Sequence, residues 1–259
     1  MNEPGFLLWA HVVLIFAIAN YISRDPLLDE IDVRATAQRF RALLSWRAWV
    51  IGRAALAAIT VAYLSAGFLP GAVVLCASIA LPFLRAKVRP RFCAELEVVA
   101  VSAFAIGALW ITSTRTLRLA NTVFEVPVSN LRLAVGCTVV ALFVFTINGG
   151  TYVVRGILKK SGAVPMLASN ESGGRAVDVN EFNRGRLIGA LERVLLFAVV
   201  IAGSYEALGF VIAAKGLVRS REFEISRDMT EYFLIGSLSS VLIALATGSA
   251  ARYVIQTYW

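Results

Sequence analysis

The stretch GRLIGALERVLLFAVVIAGSYEALGFVIAAKGLVR, residues 185–219, decides the class of this chain. Its apolar runs are rich enough for lipid, yet Glu192, Arg193 and Lys215 lie inside them. A charge placed at that depth is costly and as a rule has a partner or a task. The last apolar stretch, EYFLIGSLSSVLIALATGSA at 231–250, repeats the arrangement with Glu231 at its margin.

The rest of the chain agrees with this. It has 259 residues, 58% of them hydrophobic, and a mean hydropathy of +0.73. Residues 4–23, 54–84, 98–114, 133–154 and 232–251 contain no Asp, Glu, Lys or Arg. Spanning a bilayer core takes about 20 mainly apolar residues, and helices satisfy their own backbone polar groups there. The expected fold is all-α: a polytopic transmembrane helical bundle of seven or eight segments, one integral membrane domain over 1–259. The segments are expected at about 6–23, 49–68, 71–84, 95–113, 131–148, 186–203, 207–218 and 230–252. The third and seventh are short, a feature of transporters. The first lacks a basic leader and a clear cleavage site, so it is expected to remain as a helix.

Between the segments, Asp25-Pro26 reads as an N-cap with proline at N1. Acidic residues follow early (Asp29, Glu30, Asp32) and arginines late (Arg34, Arg39, Arg41, Arg47), which suits a helix dipole. An amphipathic cytoplasmic helix is therefore expected at about 26–46, with Trp46 and Trp49 at the interface. Asn148-Gly149-Gly150 reads as a helix stop. Residues 161–184 are rich in Gly, Ser and Asn without an apolar period, and are expected as a flexible cytoplasmic loop. They lack the G-x-x-x-x-G-K-[ST] pattern, which argues against a nucleotide site.

The formal charge is +8. On a soluble domain that would suggest nucleic acid, but here the bases cluster between apolar segments, so no nucleic-acid partner is expected. The reading is contact with anionic lipid and control of topology. Arg24 to Arg53, Arg85 to Arg91, Arg155 to Arg186 and Arg219 to Arg227 fall in alternate connections. Positive-inside then places both termini outside. The same count favours a hairpin over 186–218, against the competing single helix from 186 to 216.

The candidate site is a polar cluster near the cytoplasmic side made of Arg186, Glu192, Arg193, Lys215, Arg219 and Glu231. Glu192 and Arg193 lie six and seven positions after Arg186, roughly 10 Å into the helix. One reading is an interhelical ion pair with Lys215, Arg219 or Glu231 as partners; another is a shallow helix end; a third is a site for a lipid headgroup, an anion or a proton pathway. Gly185-x-x-x-Gly189 and Gly236-x-x-x-Ser240 permit close helix approach. Cys76, Cys93 and Cys137 show no paired spacing, and His11 is the one histidine. A lone histidine reads first as a polar contact between helices and second as a ligand. No multi-histidine metal site can be built, and no cofactor is expected.

GRLIGALERVLL, GFVIAAKGLVR and EYFLIGSLSS, with NGG and VVRGIL upstream, resemble the DUF3307 family of bacterial membrane proteins over about 145–250. The resemblance implies a multi-pass bacterial inner-membrane protein and no particular reaction. The family's first span tends to carry His-x-x-x-Asp with another histidine later, a pattern suited to a metal. Here His11 is followed at i+4 by Ile15 and no second histidine exists, so that site does not carry over.

These readings lead to a non-enzymatic, transporter-like or scaffolding membrane protein that binds a lipid, a small solute or a protein partner at the polar cluster. The alternative is a membrane-embedded enzyme acting on a lipid-linked substrate, with Glu192 and Glu231 as acid and base.

Overall fold

A computed structural model describes residues 3–22, 36–64, 68–87, 92–114, 130–162, 179–223 and 227–259. Among the described residues every extended element is a helix and there is no strand. The helices are α1 (Glu3–Tyr21), α2 (Thr36–Leu64), α3 (Phe68–Lys87), α4 (Cys93–Thr114) and α5 (Asn130–Val144). A π-helical turn, Phe145–Gly149, carries α5 directly into α6 (Gly150–Ser161). Then come α7 (Val179–Ala202), α8 (Tyr205–Phe223) and α9 (Arg227–Tyr258). Two uninterrupted helices, Leu131–Ser161 and Thr230–Tyr258, are long and apolar enough to cross a membrane. Shorter apolar helices cover Phe6–Tyr21, Ala48–Ala62 and Pro70–Arg85.

Several boundaries differ from the sequence reading. The third segment is a helix of 20 residues, with Pro82 inside it. Pro70-Gly71, a pair that reads in the sequence as a turn between the second and third segments, falls within the first turn of α3, where a missing N–H costs no hydrogen bond. α8 has 19 residues. The apolar part of α3, Pro70–Arg85, is nonetheless short. Asn148-Gly149-Gly150 is not a stop, because the helix runs on to Ser161. Of the amphipathic helix expected at 26–46, residues 26–35 lie outside the described residues. Residues 36–46 are the first turns of α2, which passes Trp46 and Trp49 without a break. Of the expected loop 161–184, residues 163–178 lie outside the described residues, and 179–184 are already helical in α7.

The described residues group into two compact units. The first holds α1, α2, α3, α4 from Val99 onward, α5 and residues 254–259. In it α1 packs along α5 and also meets α2 and α3, while α2 and α3, linked through 65–67, pack on one another. A Cβ on Gly71 would stand 2.7 Å from the Ala58 carbonyl oxygen, so only glycine allows α3 to approach α2 this closely. Phe6, Leu7, Ala10, Ala134, Val135 and Cys137 form a buried apolar cluster. Phe16 stacks on Phe104 with ring centroids 3.8 Å apart. Polar links are sparse. The Trp9 indole N–H donates to the Ala105 carbonyl at 3.0 Å. The buried Asn20 amide donates to Phe16 O at 3.0 Å and to Ser78 Oγ at 3.1 Å.

The second unit holds residues 89–98 and 145–253: the start of α4, the π turn, α6, α7, α8 and most of α9. A Cβ on Gly156 of α6 would meet the Ala94 backbone nitrogen at 2.4 Å, and one on Gly248 of α9 would meet Val200 of α7 at 2.9 Å. These approaches set α6 against the start of α4 and α9 against α7. Of the two glycine motifs singled out in the sequence, Gly236 makes only ordinary contact with Leu158 at 3.8 Å, and Gly189 faces Arg193 of its own helix at 3.7 Å.

Candidate functional site

The second unit is held by a turn, an arginine and an ion pair. Between α7 and α8 the chain reverses at Gly203, whose φ is +76°. The Gly203 N–H donates to Val200 O at 3.0 Å, and the Ser204 N–H donates to Val199 O at 3.2 Å. This pair of bonds is a Schellman closure, which satisfies the last carbonyls of α7 and favours glycine at the left-handed position. The Leu208 N–H returns to Ser204 O at 3.2 Å and starts α8. Arg252 of α9 lies against the turn, donating to Val200 O at 3.4 Å, with its guanidinium 5.6 Å from the centre of the Tyr205 ring. Gly203 leaves the room for it: a Cβ there would stand 1.8 Å from Arg252 Nη1. Residues 186–218 are therefore two helices packed together, not one.

Below the turn, Glu192 of α7 and Lys215 of α8 form an ion pair. Glu192 lies ten residues before the end of α7 and Lys215 ten residues after the start of α8, so the two meet across the hairpin. Each side chain is about one-fifth exposed. The pair is neither sealed in a core nor washed by solvent.

Arg193, the next residue, faces elsewhere. Successive helical residues point about 100° apart, so neighbours in sequence do not share a face. Its side chain is buried, with 3% of the residue exposed. Nε donates to Thr146 O at 2.9 Å, Nη2 to Ile147 O at 2.8 Å and to Thr151 Oγ1 at 2.6 Å, and Nη1 to Ser240 Oγ at 3.3 Å. Thr146 and Ile147 belong to the π turn. A π turn adds a residue to the α-helical ladder and shifts its bonds, which exposes carbonyls to outside donors. The guanidinium, a rigid fork of donors, is suited to receive them. Gly150 makes the approach possible, since a Cβ there would lie 3.1 Å from Arg193 Nε. The network continues from Thr146, whose hydroxyl donates to Thr247 Oγ1 at 2.7 Å, to Thr247, which donates to Ile243 O at 2.8 Å. The π turn, α6, α7 and α9 are thus joined by one buried chain of hydrogen bonds.

The six residues singled out in the sequence do not act as one cluster. Glu192 and Lys215 come together as a pair. Arg193 is bound by neutral oxygens. Glu231 is exposed near the start of α9 and is not among the four bonds of Arg193. Arg186 and Arg219 lie in α7 and α8, and their side chains fall outside the described residues.

The sequence reading missed Thr146, Thr151, Ser240 and Thr247 as partners of Arg193. It also missed Glu97, a fully buried carboxylate residue on α4, and the ion pair between Lys160 and Glu95, both about half exposed. The signal that was available is the buried-helix arginine itself, which needs several acceptors wherever it lies. The chain matches no family model, no curated protein and no solved structure.

Proposed function

We propose that this chain is a multi-pass helical protein of the bacterial inner membrane. In this reading it catalyses no reaction and binds an amphiphile, a phospholipid or a solute with a charged head, at the Glu192–Lys215 face of the α7–α8 hairpin. The observation that carries the reading is the contrast at adjacent positions. Four donor bonds of Arg193 go to protein oxygens, which suits a helix clamp. Glu192 and Lys215 hold each other while still partly open. An open ion pair can exchange its partners. Lys215 would take a phosphate or carboxylate, Glu192 would take an ammonium, and neither charge would be left bare in a medium that penalises it.

The membrane setting draws on the two long apolar helices, the three shorter ones and the uncharged runs. With α5 and α6 counted as one through the π turn, eight helices are described; in this reading each crosses the membrane, and an even number of crossings would put both termini on the same side. The alternate distribution of arginines and lysines favours the outside for both.

The test is native mass spectrometry of the chain in mild detergent, wild type beside Glu192→Gln and the exchanged pair Glu192→Lys/Lys215→Glu. A co-purified lipid or small molecule is expected on the wild type, lost in Glu192→Gln and regained in part by the exchanged pair. Equal occupancy in all three, or no bound species in any, would rule the site out.

A further inference from the structure

In the first unit, away from the hairpin, His11 of α1 faces Cys137 of α5, and Sγ lies 3.9 Å from Nε2. The other ring nitrogen, Nδ1, lies 2.7 Å from Leu7 O. A carbonyl oxygen carries no hydrogen, so in this bond Nδ1 is the donor. A neutral imidazole then presents its Nε2 lone pair outward, on the side of the thiol. Orientation of a ligating histidine by a carbonyl acceptor on its far nitrogen is the usual outer-shell arrangement of metal sites. Cys137 is buried, and around the pair lie Leu7, Ala10, Ala134 and Val135.

We propose that His11 and Cys137 form a two-coordinate site for a soft monovalent cation, copper(I), bridging α1 and α5. Three features support it. The first is distance. Metal–nitrogen and metal–sulfur bonds of about 2.0 and 2.3 Å, the values known for zinc, reach roughly 4.3 Å in line, so an opening of about 0.4 Å from the observed separation brings the pair to the linear arrangement of a two-coordinate ion. As a hydrogen bond, by contrast, 3.9 Å is long, so the two groups face one another without closing. The second is charge. A thiolate, a neutral imidazole and a monovalent cation sum to zero, so the filled site places no net charge in an apolar core, where an unbalanced ion would be costly. The third is ligand number. Zinc in proteins takes four ligands, or three and a water. Among the described residues no group of three His, Cys, Asp or Glu is placed to hold a metal. Thiolate and imidazole are donors that suit copper(I), and a cation content with two ligands needs no more.

Binding is a ligand substitution without redox change. The Cys137 S–H bond breaks, the proton leaves to solvent, and sulfur and His11 Nε2 each donate an electron pair to the cation. One proton is released per ion bound.

The experiment uses the full chain in detergent carrying Cys76→Ser and Cys93→Ser, so that Cys137 is the one thiol. Copper(I) is supplied anaerobically against a chromogenic copper(I) chelator, with silver(I) as a redox-inert probe, and stoichiometry is read by native mass spectrometry. One ion per chain is expected, with a mass gain equal to the ion less one proton. Cys137→Ser should abolish uptake, and His11→Ala should weaken it at least tenfold. X-ray absorption of the copper form should show one sulfur and one nitrogen neighbour. The melting temperature should rise on silver addition in the parent, rise less in His11→Ala and stay unchanged in Cys137→Ser, a readout that also shows whether each variant is folded. Uptake no tighter than that of Cys137→Ser overturns the site. So does equal affinity in His11→Ala, which would leave a lone thiolate as the ligand. Zinc(II) held as tightly as copper(I) by the same two residues would overturn the assignment to a soft monovalent ion.

Discussion

Where α1 meets α5, the contact is made mainly of Phe6, Leu7, Ala10, Ala134 and Val135, with His11 facing Cys137 at its side. Where α7 meets the 145–151 stretch, it is made of a guanidinium, two backbone carbonyls and a threonine hydroxyl. The first contact is non-directional: any side chains that fill the space serve, and small shifts are absorbed by repacking. The second is directional and fixes α7 in both rotation and height, because the fork of Arg193 fits the carbonyls of Thr146 and Ile147 in one register. In the membrane setting proposed above, a bundle would gain little from the hydrophobic effect between its own helices. Directional bonds are then the more effective means of holding one arrangement, and the second unit uses them.

Arg193→Leu is expected to have the largest effect. It strips one buried and one half-buried carbonyl of their donor, at about 1–3 kcal/mol each, and so lowers stability by on the order of 3 kcal/mol. Thermal unfolding in detergent measures it, and Arg193→Lys should recover only part because a lysine lacks the fork. Unchanged melting of Arg193→Leu would erase the distinction between the two units. Next comes Gly203→Ala, which sets a side chain in the left-handed region at roughly 1–2 kcal/mol and also collides with Arg252. The double variant with Arg252→Ala should lose less than the sum of the two single losses. Additive losses would separate the turn from its arginine.

Asn20→Ala should cost about 0.6 kcal/mol, the average for a hydrogen bond between membrane helices. A loss as large as that of Arg193→Leu would show that the first unit, too, depends on polar bonds. The smallest effect on folding is expected from Glu192→Gln. The pair is partly exposed, and such pairs contribute below about 1 kcal/mol, so its melting should stay near wild type while bound ligand is lost. A large drop in melting temperature would recast Glu192 as part of the clamp.

The helices were legible from their apolar runs, and the α7–α8 reversal from the count of bases. Arg193 was visible as a residue in need of partners, but not the partners themselves. Main-chain carbonyls carry no mark in a sequence, and the carboxylate at 192 drew attention to an acid–base pair that helical geometry divides. The π turn was hidden for a related reason. Five residues are too few for its period to differ visibly from 3.6, and two glycines resemble a stop. In an apolar setting, ending a helix strands its carbonyls, so the chain continues as helix and the glycines serve close packing instead. Pro70-Gly71 resembles a turn for a similar reason, yet a proline in the first turn is compatible with the helix.

The closed turn at Gly203 also bears on how the protein is made. In the membrane setting proposed above, two helices joined by so short a connection can leave the insertion channel together as a folded pair. A lysine alone at the centre of a helix costs about 2.5–3.5 kcal/mol to insert. Glu192 and Lys215 partition as a neutral dipole once their helices are side by side. The main-chain acceptors of Arg193, at 146 and 147, precede α7 in the chain and are synthesised first. The order of synthesis thus delivers the acceptors before the charge that needs them, and leaves only the Ser240 contact to be completed when α9 arrives.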